Sequence, residues 1–446
     1  MARTKKLLST GARLSDHLSA SLLARVYPSQ TIEAILNEQG RNSQRIRTMP
    51  AVAGSYFCMA LSLYPEYAYE QVFGTVTQGL SWMYGKPSAA GLPTQMPTMA
   101  KSAISKMRTK LGYQPLAALV ERCCIPLADP QRHPDAFYAG LRLVAMDGSN
   151  FELPDEAENI QAFGYPGSRT GHAGYPQAQC AVLVECATHA ILGANIGTYR
   201  ASEWSVCQGL LTRLSKGMLC LADRGFNGYN HWQAASATGS DLLWRCQANR
   251  KLPVVQALDD GSYLSVIYPS AVVSQKQRKA STLGITVRVI DYTLPAPQSG
   301  GVPGGAKEPA SQPSRYRLLS TLLDDTLAPA LELAALYHER WEVEAVFDEL
   351  KTHLVKSRRV LRSKSPELVR QEFYGWVLAH YAVRWLMHQA ASEHRIGQRD
   401  LSFIASLHLL RQSQPPSGAF PPFKATPARA VVPAVAQHAG KMQVRA

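Results

Sequence analysis

The alternation of apolar and polar positions divides the chain into a helical part and a part where strands alternate with helices. Residues 1–135 carry apolar side chains at helical spacing. Helices are predicted over Ser15–Tyr27, over Thr31–Gln39 with Ser29 as its N-cap, near 51–64 and 68–83, and over the basic segment Thr98–Leu111. From residue 140 short β-rich runs alternate with helices: Leu141–Ala145, Gln177–Cys186, Ala190–Tyr199, Met218–Ala222 and Asp241–Cys246. This order of a strand, a hairpin, a helix, a strand, a helix and a strand is typical of a mixed sheet with helices on its faces.

The pattern is interrupted at residues 250–326, where we infer a β-rich insertion after the fourth or fifth strand of the sheet. Strands are predicted at Tyr263–Tyr268, Ile285–Leu294 and Arg315–Thr321, and a flexible loop at Pro295–Pro313. Long helices follow, among them Glu367–His394 and a short one at Leu401–Leu410, and the Pro- and Ala-rich tail is predicted to be loose. The predicted domains are 1–135 (helical, DNA-binding), 136–249 (first part of the core), 250–326 (insertion), 327–411 (final helices) and 412–446 (tail).

The segment 328–354 has the most informative helical pattern. Pro329 suits a first helical turn and no glycine or proline follows until Pro366, so one long helix is predicted. At about 100° per residue one stripe is apolar, formed by Leu336, Val343, Val346, Phe347, Leu350 and Leu354. A second stripe holds Tyr337, Arg340, Glu344 and Lys351. A carboxylate between cations and an aromatic ring suits a metal ion beside a phosphate, although charged pairs are also common on exposed helices.

Two aspartates follow apolar runs that precede this segment. Asp147 comes before Gly148, and Asp223 comes before Arg224-Gly225. Carboxylates at the ends of adjacent strands can meet, and a helix at that edge could add Glu344. Three oxygen donors suit Mg²⁺ or Mn²⁺, and two such ions about 4 Å apart can activate a hydroxyl and stabilise a leaving oxygen. For each aspartate alone, a turn-forming role is the other explanation.

Composition narrows the functional classes. The net charge of +14 favours a polyanionic partner such as DNA, although a solvated basic surface is the simpler alternative. No run of about 18 apolar residues suggests a membrane span, and the N-terminal residues lack the apolar segment of a secretory signal. We therefore expect a cytoplasmic protein with reduced core cysteines, including Cys180, Cys186, Cys207, Cys220 and Cys246.

The spacing of the second stripe matches a known signature. Tyr337-x2-Arg340-x3-Glu344-x6-Lys351 resembles the Y-(2)-R-(3)-E-(6)-K signature of DDE transposases of the insertion-sequence-four group. The sequences around Asp147 and Asp223 resemble the contexts of that family's first two acidic residues, and the helical N-terminal region also resembles the family. The resemblance implies an α/β, RNase H-like fold: a mixed five-stranded sheet with flanking helices, a β-rich insertion before the last catalytic helix and a helical N-terminal domain.

The resemblance also implies an activity. Asp147, Asp223 and Glu344 would bind two divalent ions, Mg²⁺ or Mn²⁺, and cut double-stranded DNA at the terminal inverted repeats of the element, in several relatives through a hairpin, before transfer to target DNA. Because two element ends must be joined, a homodimer is expected in the DNA complex. Tyr337, Arg340 and Lys351 would contact phosphates and a displaced base.

Further DNA contacts are predicted at the edges of this region. Tyr316 is the candidate platform for an extruded base, where relatives often have tryptophan, and a core aromatic is the other interpretation. The cationic candidates are Arg224, Arg245, Arg250 and Lys251 and, after the helix, Lys356, Arg358, Arg359, Arg362 and Lys364. Two alternatives remain at this point: a non-catalytic DNA-binding repressor, and a generic metal-dependent nuclease, which would explain the three acids but not the second stripe. The tail shows no match to a dimerisation domain.

Overall fold

The computed structural model describes residues 22–44, 49–79, 98–168, 171–172, 174–270, 272, 277–278, 281–294, 314–354, 360–412 and 443–444. The predicted loop 295–313, most of the tail, and Lys356, Arg358 and Arg359 lie outside these ranges.

A mixed five-stranded sheet forms the centre of the fold, as predicted. Its strands are β1 (Leu141–Glu152), β2 (Gln177–Glu185), β3 (Ile191–Thr198), β4 (Met218–Ala222) and β5 (Asp241–Cys246), in the spatial order β3-β2-β1-β4-β5. The strands β1, β4 and β5 are parallel, and β2 is antiparallel to both of its neighbours. Each parallel strand has a buried apolar run, Leu143–Met146, Leu219–Ala222 and Leu242–Trp244 respectively. The arrangement is that of an RNase H-like fold.

The strands of the predicted insertion extend the same sheet. They are β6 (Gln256–Ala257), β7 (Tyr263–Ile267), β8 (Ile285–Leu294) and β9 (Ser314–Ser320), and β9 pairs antiparallel with β5. The insertion therefore follows the fifth strand. Within the tail, β10 (Gln443–Val444) pairs with Tyr292 and Thr293 of β8, so the prediction of a loose tail is wrong for these two residues. The predicted domain boundaries remain predictions.

Helices account for most of the remaining regular structure of the described residues. They are residues 22–26, α1 (Ser29–Glu38), α2 (Ala51–Leu63), α3 (Tyr69–Gly79), α4 (Lys101–Leu111), α5 (Gln114–Cys123), α6 (Ala157–Phe163), α7 (Glu203–Cys207), α8 (Tyr229–Ser236), α9 (Ala330–Leu336), α10 (Glu342–Asp348), α11 (Pro366–His394) and α12 (Phe403–Gln412). Short 3₁₀ turns occupy Pro134–Ala136, Gln208–Arg213, Arg224–Phe226, Tyr337–Trp341 and Gln398–Asp400. Two-residue strands lie at Phe137–Tyr138, which pairs with β1, and at Gly167–Ser168 and Gly171–His172, which pair with each other.

The N-terminal helices are attached to the rest of the chain by α11. Every residue of α2 is buried, as expected for a helix that is apolar on all sides. Gly375 of α11 lets the two helices approach closely, since a Cβ there would lie 2.7 Å from the Cys58 carbonyl oxygen. Arg108 belongs to the predicted basic segment Thr98–Leu111, but it is buried and its guanidinium donates to Gln371 Oε1 and Ser363 Oγ. These hydrogen bonds therefore join the N-terminal helices to the segment around α11.

The segment 330–354 is helical throughout, but it is not the single α-helix predicted. After α9 the winding tightens to 3₁₀ over Tyr337–Trp341, returns to α in α10 and widens to a π-helix over Glu349–Leu354. The predicted apolar stripe is otherwise confirmed, with Leu336 partly buried and its other members buried. Glu349 is tied to Arg384 and His380 of α11, and this buried contact lies where the π-turn begins.

Several smaller predictions are corrected or confirmed. Pro28 rather than Ser29 precedes the first turn of α1, and Pro329 precedes rather than occupies the first turn of α9. The eight cysteines are free and the five predicted core cysteines are buried. Among the described residues, no helix is both long enough and apolar enough to cross a membrane.

Candidate active site at the edge of the parallel strands

The two aspartates lie at equivalent positions on neighbouring strands. Met146 of β1 is paired with Ala222 of β4 in parallel register, and Asp147 and Asp223 are the next residues. The prediction that Asp147 ends its strand is wrong, because β1 continues to Glu152 against β2 after its pairing with β4 has stopped. The aspartates therefore emerge together where the two strands part.

Arg340 brings Glu344 to this edge. Its Nη1 donates to Asp147 Oδ2 over 3.1 Å, and its Nη2 donates to Glu344 Oε1 over 2.9 Å. Because one guanidinium bonds both groups, the two carboxylates lie within about 8 Å of each other. The Arg340 side chain is only 8% exposed, whereas that of Glu344 is 48% exposed, so Glu344 faces solvent at the mouth of the site.

Asp147 is in an unfavourable place for a negative charge. Burial raises its pKa to about 6 from an ordinary 3.8, and the charges of Glu203 and Asp223 act in the same direction. Arg340 and the N–H of Gly148 oppose this shift without cancelling it. The ionised form of Asp147 is therefore held at the site at a cost set mainly by burial.

Glu203 is a fourth carboxylate at the site, and sequence analysis did not identify it. It begins α7, after β3, and its Oε1 accepts the Gly148 N–H over 3.1 Å. Burial raises its pKa, and the charge of Asp223 contributes. Its position at a helix start on the same sheet edge was the available signal, but the contact with Gly148 is visible only in three dimensions.

Tyr337 and Lys351, the remaining members of the stripe, lie on either side of the acids. The buried Tyr337 hydroxyl donates to the Ala222 carbonyl oxygen over 3.3 Å, next to Asp223. Lys351 Nζ donates to Ser149 Oγ and lies 5.1 Å from the ring centroid of Phe151, and burial lowers its pKa. A partly desolvated ammonium group close to Asp147 could contact an anionic ligand.

Arg245 connects the acids to an aromatic stack. Its Nη1 lies 3.8 Å from Asp223 Oδ1, and its Cζ lies 4.3 Å from the ring centroid of Tyr316. Tyr316 stacks on Tyr292 with ring centroids 5.2 Å apart. Tyr316 lies on β9, which pairs with β5 on one side and with β8 on the other. Arg245 of β5 and Tyr292 of β8 therefore cover the two faces of the Tyr316 ring.

Comparison with known proteins agrees with this geometry. The family model described as Transposase DDE domain matches residues 138–382, more than half of the chain. The model described as Insertion element 4 transposase N-terminal matches residues 17–121. The transposase InsG for insertion sequence element IS4 of Escherichia coli (strain K12) is 30% identical over 325 residues, which cover 71% of this chain and 67% of that protein. This chain belongs to the insertion-sequence-four family of DDE transposases.

Two weaker likenesses accompany this match. The putative transposase InsZ of Escherichia coli (strain K12) is 26% identical to the transposase described here over 150 residues, which cover 33% of this chain and half of that protein. A chain in the cryo-EM structure of the piggyBac transposase synaptic complex with hairpin DNA aligns with 89% of this chain and 80% of its own length, at 9% identity and a TM-score of 0.40, a likeness too weak to support an inference.

DDE transposase domains generally use divalent metal ions, and the donor set of this transposase is chemically suitable. Asp147, Asp223 and Glu344 offer hard oxygen ligands, the type of ligand that such ions prefer. Within the described ranges, no three acidic, imidazole or thiol side chains converge closely enough to hold an ion as they stand. The guanidinium of Arg340 is hydrogen-bonded to both Asp147 and Glu344.

The other predicted contacts of the transposase are dispersed around this edge. Arg224 is exposed and its backbone N–H donates to Asp223 Oδ1 over 2.6 Å. Lys251 is exposed, and the Arg250 guanidinium donates to the Asn227 carbonyl oxygen. After the helix, Arg362 donates to the Tyr67 carbonyl oxygen, and Lys364 forms an ion pair with Glu156 at 2.6 Å. These side chains are not drawn into the cluster of acids.

Proposed function

We propose that this transposase binds double-stranded DNA at the terminal inverted repeats of its element and catalyses two-metal strand cleavage and strand transfer. The observation that carries the proposal is the single guanidinium of Arg340 bonded to both Asp147 and Glu344, at an edge where Asp223 is the neighbouring residue in register. Arg340 thus links two of the three acids, and the third follows the strand position paired with the residue before Asp147. The proposal extends to a homodimer in the DNA complex, because two element ends must be joined.

We assign the acids the role of holding two divalent ions, Mg²⁺ or Mn²⁺. Bound in pairs, such ions activate an attacking hydroxyl and stabilise the leaving oxygen of a phosphodiester. Asp147 and Asp223 would serve from the sheet, and Glu344 from the more exposed side of the helix. For this to occur the Arg340 guanidinium must leave its place between the carboxylates, and a phosphate of the DNA is the natural anion to receive it.

The neighbouring side chains orient the strand in this proposal. Lys351 would contact a phosphate from the side of Ser149 and Phe151, where its ammonium is already partly desolvated. Arg224 and Lys251 are exposed and free to follow the backbone of a duplex. Arg362 and Lys364, and the predicted cations at 356, 358 and 359, would extend that contact beyond the helix.

A hairpin intermediate remains part of the proposal, with Tyr316 as the platform for an extruded base. Because Tyr292 and Arg245 cover its two ring faces, a base could stack on Tyr316 only after Arg245 has moved. Movement of Arg245 would also remove a cation from Asp223. The two events are therefore expected to be linked.

The test is cleavage of a DNA fragment that carries the inverted repeats flanking the gene, with Mg²⁺ or Mn²⁺. Asp147→Asn, Asp223→Asn and Glu344→Gln preserve shape and remove charge, and each is expected to abolish cleavage. Asp348→Asn, on the same helical segment with a side chain 58% exposed, is the matched control. Variants that cut as well as the parent would overturn the assignment of the acids.

The products separate the proposal from its alternatives. Element ends covalently joined to new DNA are expected from a transposase, whereas cut ends alone would indicate a nuclease. Repeat-specific binding without cleavage in either metal would indicate a repressor.

A further inference from the structure

Glu203 makes contacts that link the two aspartate-bearing segments. Its Oε1 accepts the Gly148 N–H over 3.1 Å, and the same N–H donates to Asp147 Oδ1 over 2.8 Å. One backbone donor is therefore shared between a proposed metal ligand and Glu203. The side chain of Glu203 holds the backbone next to Asp147 in one orientation.

The position of the Glu203 carboxylate depends on two glycines. A Cβ at Gly148 would lie 2.6 Å from Glu203 Oε1, and a Cβ at Gly225 would lie 3.1 Å from Glu203 Oε2. Neither glycine has a positive φ, so the backbone conformation does not require glycine at either position. The close approach of Glu203 is the reason that a side chain does not fit there. One oxygen of the carboxylate thus accepts from the backbone after Asp147, and the other lies next to the place that a side chain at Gly225, after Asp223, would occupy.

The helix that carries Glu203 is firmly anchored. Ser202 caps it by accepting the Ser205 N–H over 3.2 Å. Trp204 stacks on His231 at 4.0 Å between ring centroids and packs edge-on against Phe226, in the turn that follows Asp223. The carboxylate is therefore presented by a rigid element and not by a mobile surface side chain.

We propose that Glu203 is a positioning residue for strand cleavage, which sets the separation of Asp147 and Asp223 by filling the space between Gly148 and Gly225. The inference rests on the function proposed above and assigns no contact between Glu203 and DNA. It predicts that Glu203 acts through the backbone at Gly148, so the loss of its acceptor oxygen matters more than the loss of its charge.

The first experiment compares Glu203→Ala with Glu203→Gln in the full-length protein, by the rate of cleavage of repeat-bearing DNA as Mn²⁺ is varied. We expect the alanine variant to need roughly ten- to a hundredfold more Mn²⁺ for half-maximal rate, as for other residues that orient metal ligands. The glutamine variant keeps an acceptor for the Gly148 N–H and should stay within a fewfold of the parent. Glu158→Ala, an exposed glutamate of α6, is the control. A folded alanine variant with the parent's Mn²⁺ dependence would overturn the inference.

The second experiment is a double-mutant cycle with Gly148→Ala. In the parent, the new methyl group meets the Glu203 carboxylate, whereas in the Glu203→Ala background that obstacle is gone. Gly148→Ala should therefore lower the melting temperature of the protein, without DNA or metal, much less in the second background. Equal losses in both backgrounds would refute the contact. A parent that never cuts DNA would sink the proposed function, while the melting cycle would still decide the placement of Glu203.

Discussion

Replacing Asp147 with asparagine should make the metal-free protein more stable while it destroys the proposed activity. Burial is the main cause that raises the pKa of this carboxyl from 3.8 to about 6, and the attraction of Arg340 does not offset it. Holding the group ionised at neutral pH therefore costs about 3 kcal/mol of folding free energy. Asparagine has the same shape and no charge, so the Asp147→Asn variant should recover up to about that amount.

The sign of the effect with pH follows from the raised pKa. The folded protein binds the proton up to about pH 6 and the unfolded chain only up to about pH 4, so the parent loses stability as pH rises between these values. The stabilisation by Asp147→Asn should therefore be absent near pH 4 and complete by about pH 7.5. Urea denaturation at both pH values measures it. Added Mn²⁺ should stabilise the parent more than the variant, because a bound ion supplies the missing charge.

A surface aspartate provides the comparison for this experiment. Asp348→Asn, at a side chain 58% exposed, should change stability by less than about 0.5 kcal/mol at either pH. If Asp147→Asn is no more stable than the parent at pH 7.5, the cost inferred for burying the Asp147 charge is wrong.

Three further predictions concern the buried groups around the helix. Burial lowers the pKa of His189 to about 4 and that of His380 to about 3, so the unfolded chain takes up protons below about pH 6.5 before the folded protein does. Stability should fall by about 3 kcal/mol or more between pH 6.5 and 4. The urea midpoint of the Asp147→Asn variant, in which residue 147 does not titrate, will test this prediction across the same pH range. A midpoint that does not change with pH would contradict it. Glu349→Ala leaves the Arg384 guanidinium buried without its carboxylate and should cost about 3–5 kcal/mol in urea denaturation, whereas an unchanged midpoint would show that the pair adds nothing. Lys351→Met keeps the aliphatic contact with the aromatic rings and removes the charge, so it should preserve the melting temperature and slow DNA cleavage at least tenfold; a melting temperature that fell with the rate would point to a structural role.

The sequence predicted those features that depend on local pattern. The strands Met218–Ala222 and Asp241–Cys246 were placed correctly because uninterrupted apolar runs between turn residues leave little choice. Asp147 and Asp223 were identified because each follows such a run. The uneven winding of residues 330–354 was missed, since the buried contacts of Glu349 with α11 are absent from a helical wheel.

Two other failures have the same physical origin. In the sequence Arg108 is one of several cations in a basic helical segment with Lys106 and Lys110, yet its guanidinium has partners more than 250 positions away in the chain. Glu203 was passed over as an ordinary helix start, because nothing near it in the sequence indicates that Gly148 and Gly225 leave room for its carboxylate. In both cases the position of the side chain depends on contacts with residues that are distant in the sequence.

The pairing of β9 with β5 has a mechanical consequence. Four residues of each strand are paired, from Arg317–Cys246 to Ser320–Leu243. The inserted strands therefore cannot move as a unit relative to β5 without breaking the backbone hydrogen bonds of the strand that carries Arg245. A rigid strand pair of this kind leaves the shape of the surface around Arg245 unchanged when a ligand arrives. If a DNA end binds there, the bending and unstacking must be borne by the nucleic acid, and sequences that deform easily next to the cut would be favoured even where no side chain touches a base.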